Sequence, residues 1–215
     1  MSALTIPPVP SPAQTPPPQA SGPKPHARGL APHRWTLAEY QTLARVGLLD
    51  GLRTILIDGE ILTMPNPDPP HDTALSLAFA FLMSCCPVGH YVRNQQSFNV
   101  GTRHDPGPDL AIVPGVIRDY VAQAPRVALL IVEVADSSLS MDTTTKAELY
   151  ATAGVPEYWV IDVEHRQLIV FRDPQPFPKG LGATAYKTHL TFGETERVLP
   201  LAVPGTPVLV SEFLP

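Results

Sequence analysis

Three charged residues stand where charge is costly. Asp109 opens an apolar segment, residues 109–113, and Glu133 is the single polar member of Val-Ala-Leu-Leu-Ile-Val-Glu-Val at 127–134. If the two segments are antiparallel neighbours, the start of one and the end of the other share one edge of the sheet and bring the carboxylates together. Two such charges about 4 Å apart repel by roughly 4 kcal/mol at an effective dielectric of about 20. Either a proton is shared or a cation sits between them. Oxygen-only donors in a partly open site favour Mg²⁺ or Mn²⁺ over zinc. The plainer alternative is that Asp109 caps a turn and Glu133 pairs with a surface arginine.

Lys146 adds weight to the first reading. It is the sole lysine between residues 25 and 178, because Lys24, Lys179 and Lys187 lie outside that stretch. At helical spacing it shares a stripe with Asp142, Leu149, Tyr150 and Ala153, on or beside an inward face. An i,i+4 ion pair with Asp142 and a snorkelling ammonium would explain it structurally. A functional lysine would reach over the sheet edge to the two carboxylates, to orient a water or to stabilise charge on a phosphoryl oxygen. His71, at a helix mouth after a proline-rich loop, is a candidate base, metal ligand or phosphate contact, with a solvated helix-start histidine as the plainer reading. His104 reads as an exposed turn residue. Ser137 and Ser138 have no histidine placed to activate them.

The elements that must position these residues follow from local pattern. Thr36 and Glu39 have the spacing of a reciprocal capping pair for a helix to about Val46. Segments 53–57 and 60–64 flank Asp58-Gly59, a dipeptide suited to positive φ at both turn centres, and predict a hairpin. Residues 71–86 predict a helix, with Asp72 or Thr73 near its start and an apolar body that points to full burial. Strands are predicted at 91–100, 109–113, 127–134, 157–163 and 167–172, the third covered on both faces. A helix over 142–153 closes at Gly154. A Pro/Gly loop at 174–182 leads to a last hairpin, 185–192 paired with 197–203. The order predicts an α/β fold with a mixed central sheet flanked by helices, an N-terminal hairpin and a C-terminal hairpin.

The 215 residues suit one ordinary domain. Ten of the 27 prolines fall in the first 32 residues among Ser, Gln, Ala and Thr, so residues 1–33 are expected to form a disordered leader and 34–215 the folded domain. No apolar run has membrane-span length and the first residues lack a signal core, which predicts a cytoplasmic protein. Cys85 and Cys86 are neighbours, unsuited to a disulfide framework, and read as core thiols. The net charge of −5 argues against a broad basic surface, though not against a local nucleic-acid site. No phosphate loop, His-x-Glu or Cys-x-x-Cys pattern is present.

The motifs Pro108-Asp109, Ile131-Val-Glu133-Val-Ala-Asp-Ser137, Asp142-x-x-x-Lys146-x-x-x-Tyr150 and Gly154-Val-Pro-Glu157-Tyr158-Trp159-Val-Ile-Asp162 resemble the Uma-two restriction-endonuclease family of the PD-(D/E)XK nuclease superfamily. The Leu56-Ile-Asp58-Gly59-Glu60 hairpin and His71 are also similar, so the resemblance runs from about Trp35 to Arg172. It implies a restriction-endonuclease-like core and a Mg²⁺-dependent endonuclease acting on DNA, with Asp109 and Glu133 binding the metal. The lysine of the general pattern lies two residues beyond the second acid, where Ala135 stands here. Lys146 matches the family's relocated lysine. The family's hairpin carries an acid where this chain has Ile55, and neither Asp58 nor Glu60 is an obvious substitute.

The leading expectation is therefore a Mg²⁺- or Mn²⁺-dependent hydrolase of DNA phosphodiesters, with Asp109, Glu133, Lys146 and His71 as its site. The alternative is a catalytically degenerate binding module, a homodimer or higher homo-oligomer, with Tyr158-Trp159 and the C-terminal hairpin as candidate interface, although Trp159 reads at least as well as a core residue. A carboxylate-pair sugar hydrolase is a weaker third reading, since no aromatic-rich groove is evident.

Overall fold

A computed structural model describes residues 30–176 and 184–215. The proline-rich leader expected at 1–33 lies outside the described residues apart from 30–33. Contacts cluster Arg34–Pro215 into one unit. Within it α1 (Leu37–Arg45) begins at Thr36, whose hydroxyl accepts from the Glu39 amide while the Glu39 carboxylate accepts from the Thr36 amide. The hairpin β1 (Thr54–Ile57) and β2 (Glu60–Thr63) turns at Asp58 and Gly59, φ 47° and 72°. Two positive φ values in succession match the twist of antiparallel strands, which is why Asp-Gly stands there.

Six strands form the central sheet in chain order: β3 (His90–Asn94), β4 (Leu110–Pro114), β5 (Leu130–Ala135), β6 (Glu157–Asp162), β7 (Gln167–Pro176) and β8 (Thr184–Gly193). Only β5 and β6 are parallel. Their connection crosses over through a helical run made of α3 (Leu139–Met141), a π-helical turn (Asp142–Lys146) and α4 (Ala147–Thr152). Gly154, φ 74°, ends it. Every residue of β5 is buried, as its continuous apolar run requires for a strand covered on both faces. On one face Leu110, Ile112, Val132 and Val134 meet α2 (Pro69–Cys85) and the C-terminal Phe213. On the other, Ala111, Ile131, Val160 and Phe171 meet Ala147 and Tyr150 of the helical run.

Several expectations are corrected. Helix α2 starts two residues early, because Asp68 accepts from the His71 amide and Pro69 and Pro70 occupy the first turn, where no intrahelical N–H is needed. It is not buried all round: Ala74, Leu75, Ala78 and Leu82 face the core, whereas Met83 is 54% exposed. The C-terminal two-stranded sheet joins β9 (Arg197–Val198) to β10 (Val208–Leu209), while the segment expected to pair with it, β8, instead extends the central sheet against β7. Strand β7 itself runs to Pro176, so the loop expected at 174–182 starts later, and its residues 177–182 lie outside the described residues. Strand β3 ends at Asn94, before the irregular segment that carries Gln95 to Val100. Cys85 and Cys86 are free and half-buried. Tyr158 and Trp159 are core residues, 0% and 1% exposed, and offer no interface. Among the described residues no helix is long and apolar enough to cross a membrane.

Candidate functional site

The register of β4 on β5, Leu110 opposite Val132 and Ile112 opposite Leu130, sets Asp109 across from Glu133 at the end of the pair. The Val134 amide donates to Asp109 Oδ2 at 2.9 Å, a bond that ties the start of β4 to the end of β5. Glu133 is 2% exposed. Its Oε1 accepts from the Tyr150 hydroxyl at 2.6 Å, and Lys146 Nζ lies 2.9 Å from Oε2. Lys146 also lies 3.1 Å from Asp142 Oδ1. The lysine makes the i,i+4 pair and also reaches Glu133 at the sheet edge, and its buried ammonium does not snorkel to solvent. The π turn carries both Asp142 and Lys146 inward, since an extra residue per turn re-aims side chains relative to an α-helix. Asp142 is fixed from its other side by the Ser138 hydroxyl.

His71 belongs to the same cluster. Its Nε2 lies 3.5 Å from Asp109 Oδ2, and only 12% of its side chain is exposed, so it is not a solvated helix-start residue. Its Nδ1 is buried and without a hydrogen-bond partner among the described residues. Gln95 Nε2 approaches Asp109 Oδ1 at 3.4 Å. His104, expected to be free in a turn, accepts through Nδ1 from the Asp58 amide at 3.0 Å. Tyr150 and Gln95 are the site neighbours that sequence reasoning left without a role. Tyr150 stands four residues beyond Lys146 on the inward stripe, which was the available signal; Gln95 had none.

The two carboxyl groups are shifted in opposite directions. Burial works against ionised Asp109, but the His71 hydrogen bond and the Val134 amide outweigh it and keep the carboxyl below the ordinary aspartate value. Complete burial dominates at Glu133 and, although Lys146 opposes it, pushes the carboxyl up to about 8. Burial also disfavours the Lys146 ammonium, yet Glu133 and Asp142 hold its pKa above the ordinary lysine value. The hydrogen bond to Asp109 raises His71. A cleft whose acids are pushed apart in this way is where acid–base work is found.

The cluster opens into a cavity of about 520 Å³. Its wall includes Arg53, Ile55, His71, Asp109, Glu133 and Lys146, with Ser137 and Thr145 at the rim. Ile55 is 2% exposed, so an apolar side chain stands against the site where the family pattern has an acid. Asp58 and Glu60 do not replace it; both lie at the hairpin turn beside Arg34, exposed. Among the described residues no three His, Cys, Asp or Glu side chains are grouped to hold a metal ion. Asp109 and Glu133 nevertheless suit Mg²⁺, which takes one or two carboxylates and completes its shell with water and substrate phosphate.

Comparison with known proteins agrees with this architecture. A crystal structure described as a putative nuclease belonging to DUF820, from Anabaena variabilis, superposes with a TM-score of 0.64 at 17% identity, over 83% of this chain and 96% of that one. At that identity the likeness speaks for the fold. No curated protein matches the chain. The family model Uma2, described as "Putative restriction endonuclease", matches residues 37–208 and so takes in β1 through β9 and all of the cluster around Asp109. The chain belongs to the Uma2 family.

Proposed function

We propose that residues 34–215 form one restriction-endonuclease-like domain that hydrolyses phosphodiester bonds of DNA with a divalent metal ion. The observation that carries this is the meeting of Asp109, Glu133 and Lys146, from the start of β4, the end of β5 and the crossover helix, in one cavity. Asp109 and Glu133 would hold Mg²⁺ or Mn²⁺, which supplies Lewis acidity at a phosphoryl oxygen and lowers the pKa of bound water. Ionised Asp109 is ready as an anionic ligand. Tyr150 and Lys146 fix the orientation of Glu133, and Lys146 keeps a positive charge at the floor of the cavity for the charge that develops on phosphate. His71, beside Asp109, is placed to hold a proton or contact phosphate at the mouth.

The test is incubation of DNA with the full chain and Mg²⁺ or Mn²⁺. Cleavage that disappears in Asp109→Ala and Lys146→Ala supports the reading; no cleavage above the Asp109→Ala level counts against it. Ile55 favours a second reading, a degenerate nuclease fold that binds without cutting. Calorimetry separates the two, because Mn²⁺ binding that vanishes in Glu133→Ala is not expected of an inert module.

A further inference from the structure

Among the described residues four arginines are half-buried: Arg34, Arg53, Arg93 and Arg172. A guanidinium drawn partly out of water needs a partner for its charge as well as for its N–H groups. Arg172 directs Nε and Nη2 at Glu157 Oε1, at 2.8 and 2.6 Å. Arg34 lies 2.6 Å from Glu60 Oε1, and Arg93 stands 5.5 Å over the Tyr120 ring. Arg53 differs. It has no ion pair and no ring contact among the described residues, and its side chain makes one hydrogen bond, from Nη1 to the Pro65 carbonyl at 2.8 Å.

A neutral carbonyl orients the guanidinium without cancelling its charge. The Arg53 carbonyl in turn accepts from the Met64 amide at 2.8 Å, so main chain and side chain of one residue both hold the start of the loop that leads to α2. With Nη1 occupied, the Nε–Nη2 edge is left open, the same edge that Arg172 presents to a carboxylate. It is not sealed: a buried donor without a partner is found at Arg93 Nε, but at no atom of Arg53. Arg53 lines the cavity that holds Asp109 and Glu133, where Lys146 is the only other Arg or Lys side chain. Lys146 is already matched by Glu133 and Asp142. The open fork thus stands in the cavity as an unmatched cation, off the reacting centre, and calls for a two-oxygen anion that the chain does not supply.

Resting on the nuclease reading above, we infer that Arg53 grips a phosphate of the substrate strand, next to the scissile one, through its Nε–Nη2 edge. The planar fork fits two non-bridging oxygens of a phosphodiester as it fits a carboxylate. The contact is to the backbone, so it fixes where the strand lies over Asp109 and reads no base. It also accounts for how a chain of net charge −5 can take a polyanion: by one placed cation, where a broad basic surface is lacking.

The test measures binding of a labelled DNA to the full chain in the Asp109→Ala background, without metal, over a range of salt concentrations. Arg53→Gln removes the charge and keeps an amide that can donate to the Pro65 carbonyl. It is expected to weaken binding about tenfold, as loss of a charged hydrogen bond does, and to lower the slope of log affinity against log salt by about one. Arg53→Lys should keep the slope and still bind more weakly than arginine, because an ammonium has no fork. Arg118→Ala removes the same charge from an exposed turn outside the cavity and should change affinity by less than about twofold. Arg53→Gln that behaves like Arg118→Ala, or a slope lost in Arg53→Lys as well, would overturn the phosphate contact; Mn²⁺-dependent cleavage by the native chain would then leave the nuclease reading standing. The expected losses in a chain that never cuts DNA would sink the nuclease reading and leave Arg53 as a DNA-binding residue of a degenerate fold. A chain that binds no DNA overturns both.

Discussion

Replacing Lys146 by methionine keeps the apolar stem and removes the ammonium. In the native protein Nζ lies 2.9 Å from Glu133 Oε2 and 3.1 Å from Asp142 Oδ1, with 6% of the side chain exposed. The variant leaves two buried carboxyl groups facing the space that held their cation. Breaking a buried pair by removing one partner costs about 3–5 kcal/mol, a large share of the roughly 5–15 kcal/mol that holds a domain folded. The loss depends on pH, with a definite sign. Burial lifts the Glu133 carboxyl from 4.5 to about 8 even with Lys146 opposing it, and without the lysine the carboxyl rises further. An acid raised in the folded state keeps a proton that the unfolded chain has released, so stability falls as pH rises from the unfolded value through the folded one. Lys146→Met should therefore lose more near about pH 10 than near about pH 6, because below its value of about 8 Glu133 is protonated in the folded protein with or without the lysine, and only above it does the native carboxylate ionise beside the ammonium. Urea unfolding at both pH values measures this. A loss under about 1 kcal/mol at the higher pH, or an equal loss at both, would refute the electrostatic account of the cluster.

Tyr150→Phe removes the 2.6 Å hydroxyl bond to buried Glu133 Oε1 and should cost about 1–3 kcal/mol in urea unfolding, with lower DNA cleavage from a loosened carboxyl group. Ile55→Glu puts a carboxylate back at the cavity wall. Added ligand charge should tighten Mn²⁺ binding about tenfold by calorimetry, and unchanged affinity would mean that position 55 does not face the ion. Gly59→Ala introduces a Cβ at φ 72° within 2.9 Å of Arg34 Cβ and 3.0 Å of the Trp35 backbone, so the hairpin should lose more than about 1 kcal/mol, read as a drop in the thermal midpoint. Thr36→Ala deletes the hydroxyl that caps α1 and should cost about 1 kcal/mol by urea unfolding.

What was legible in the chain was what is set locally or by a simple alternation. Thr36 and Glu39 cap α1 because the interaction spans three residues, and Asp58-Gly59 turns the hairpin because both residues tolerate positive φ. Glu133 announced itself as one charge in a strand buried on both faces, and its pairing with Asp109 needed only antiparallel neighbours. The rest depended on longer-range choices. Nothing in 184–193 distinguishes pairing with 197–203 from pairing with β7; the sheet edge, which needs its open N–H and C=O groups covered, decides it. The π turn at Asp142–Lys146 is invisible to a 3.6-residue pattern, though Lys146 reached the site regardless because its partners lie on the sheet beneath it. Helix α2 looked buried all round, but the sheet covers only one of its faces and leaves Met83 in solvent. Asp105 carried no signal, since an aspartate in a Pro/Gly-rich turn looks like an exposed one until Ser97 and the hairpin close over it.

The central claim is most directly tested by crystals of the full chain soaked in Mn²⁺ and measured at an anomalous wavelength. The account predicts one peak bounded by carboxylate oxygens of Asp109 and Glu133, at about 2.1 Å as a hard octahedral cation requires, with Lys146 still in the same cavity. A peak bound elsewhere on the chain, or none between those two side chains at saturating Mn²⁺, would contradict it.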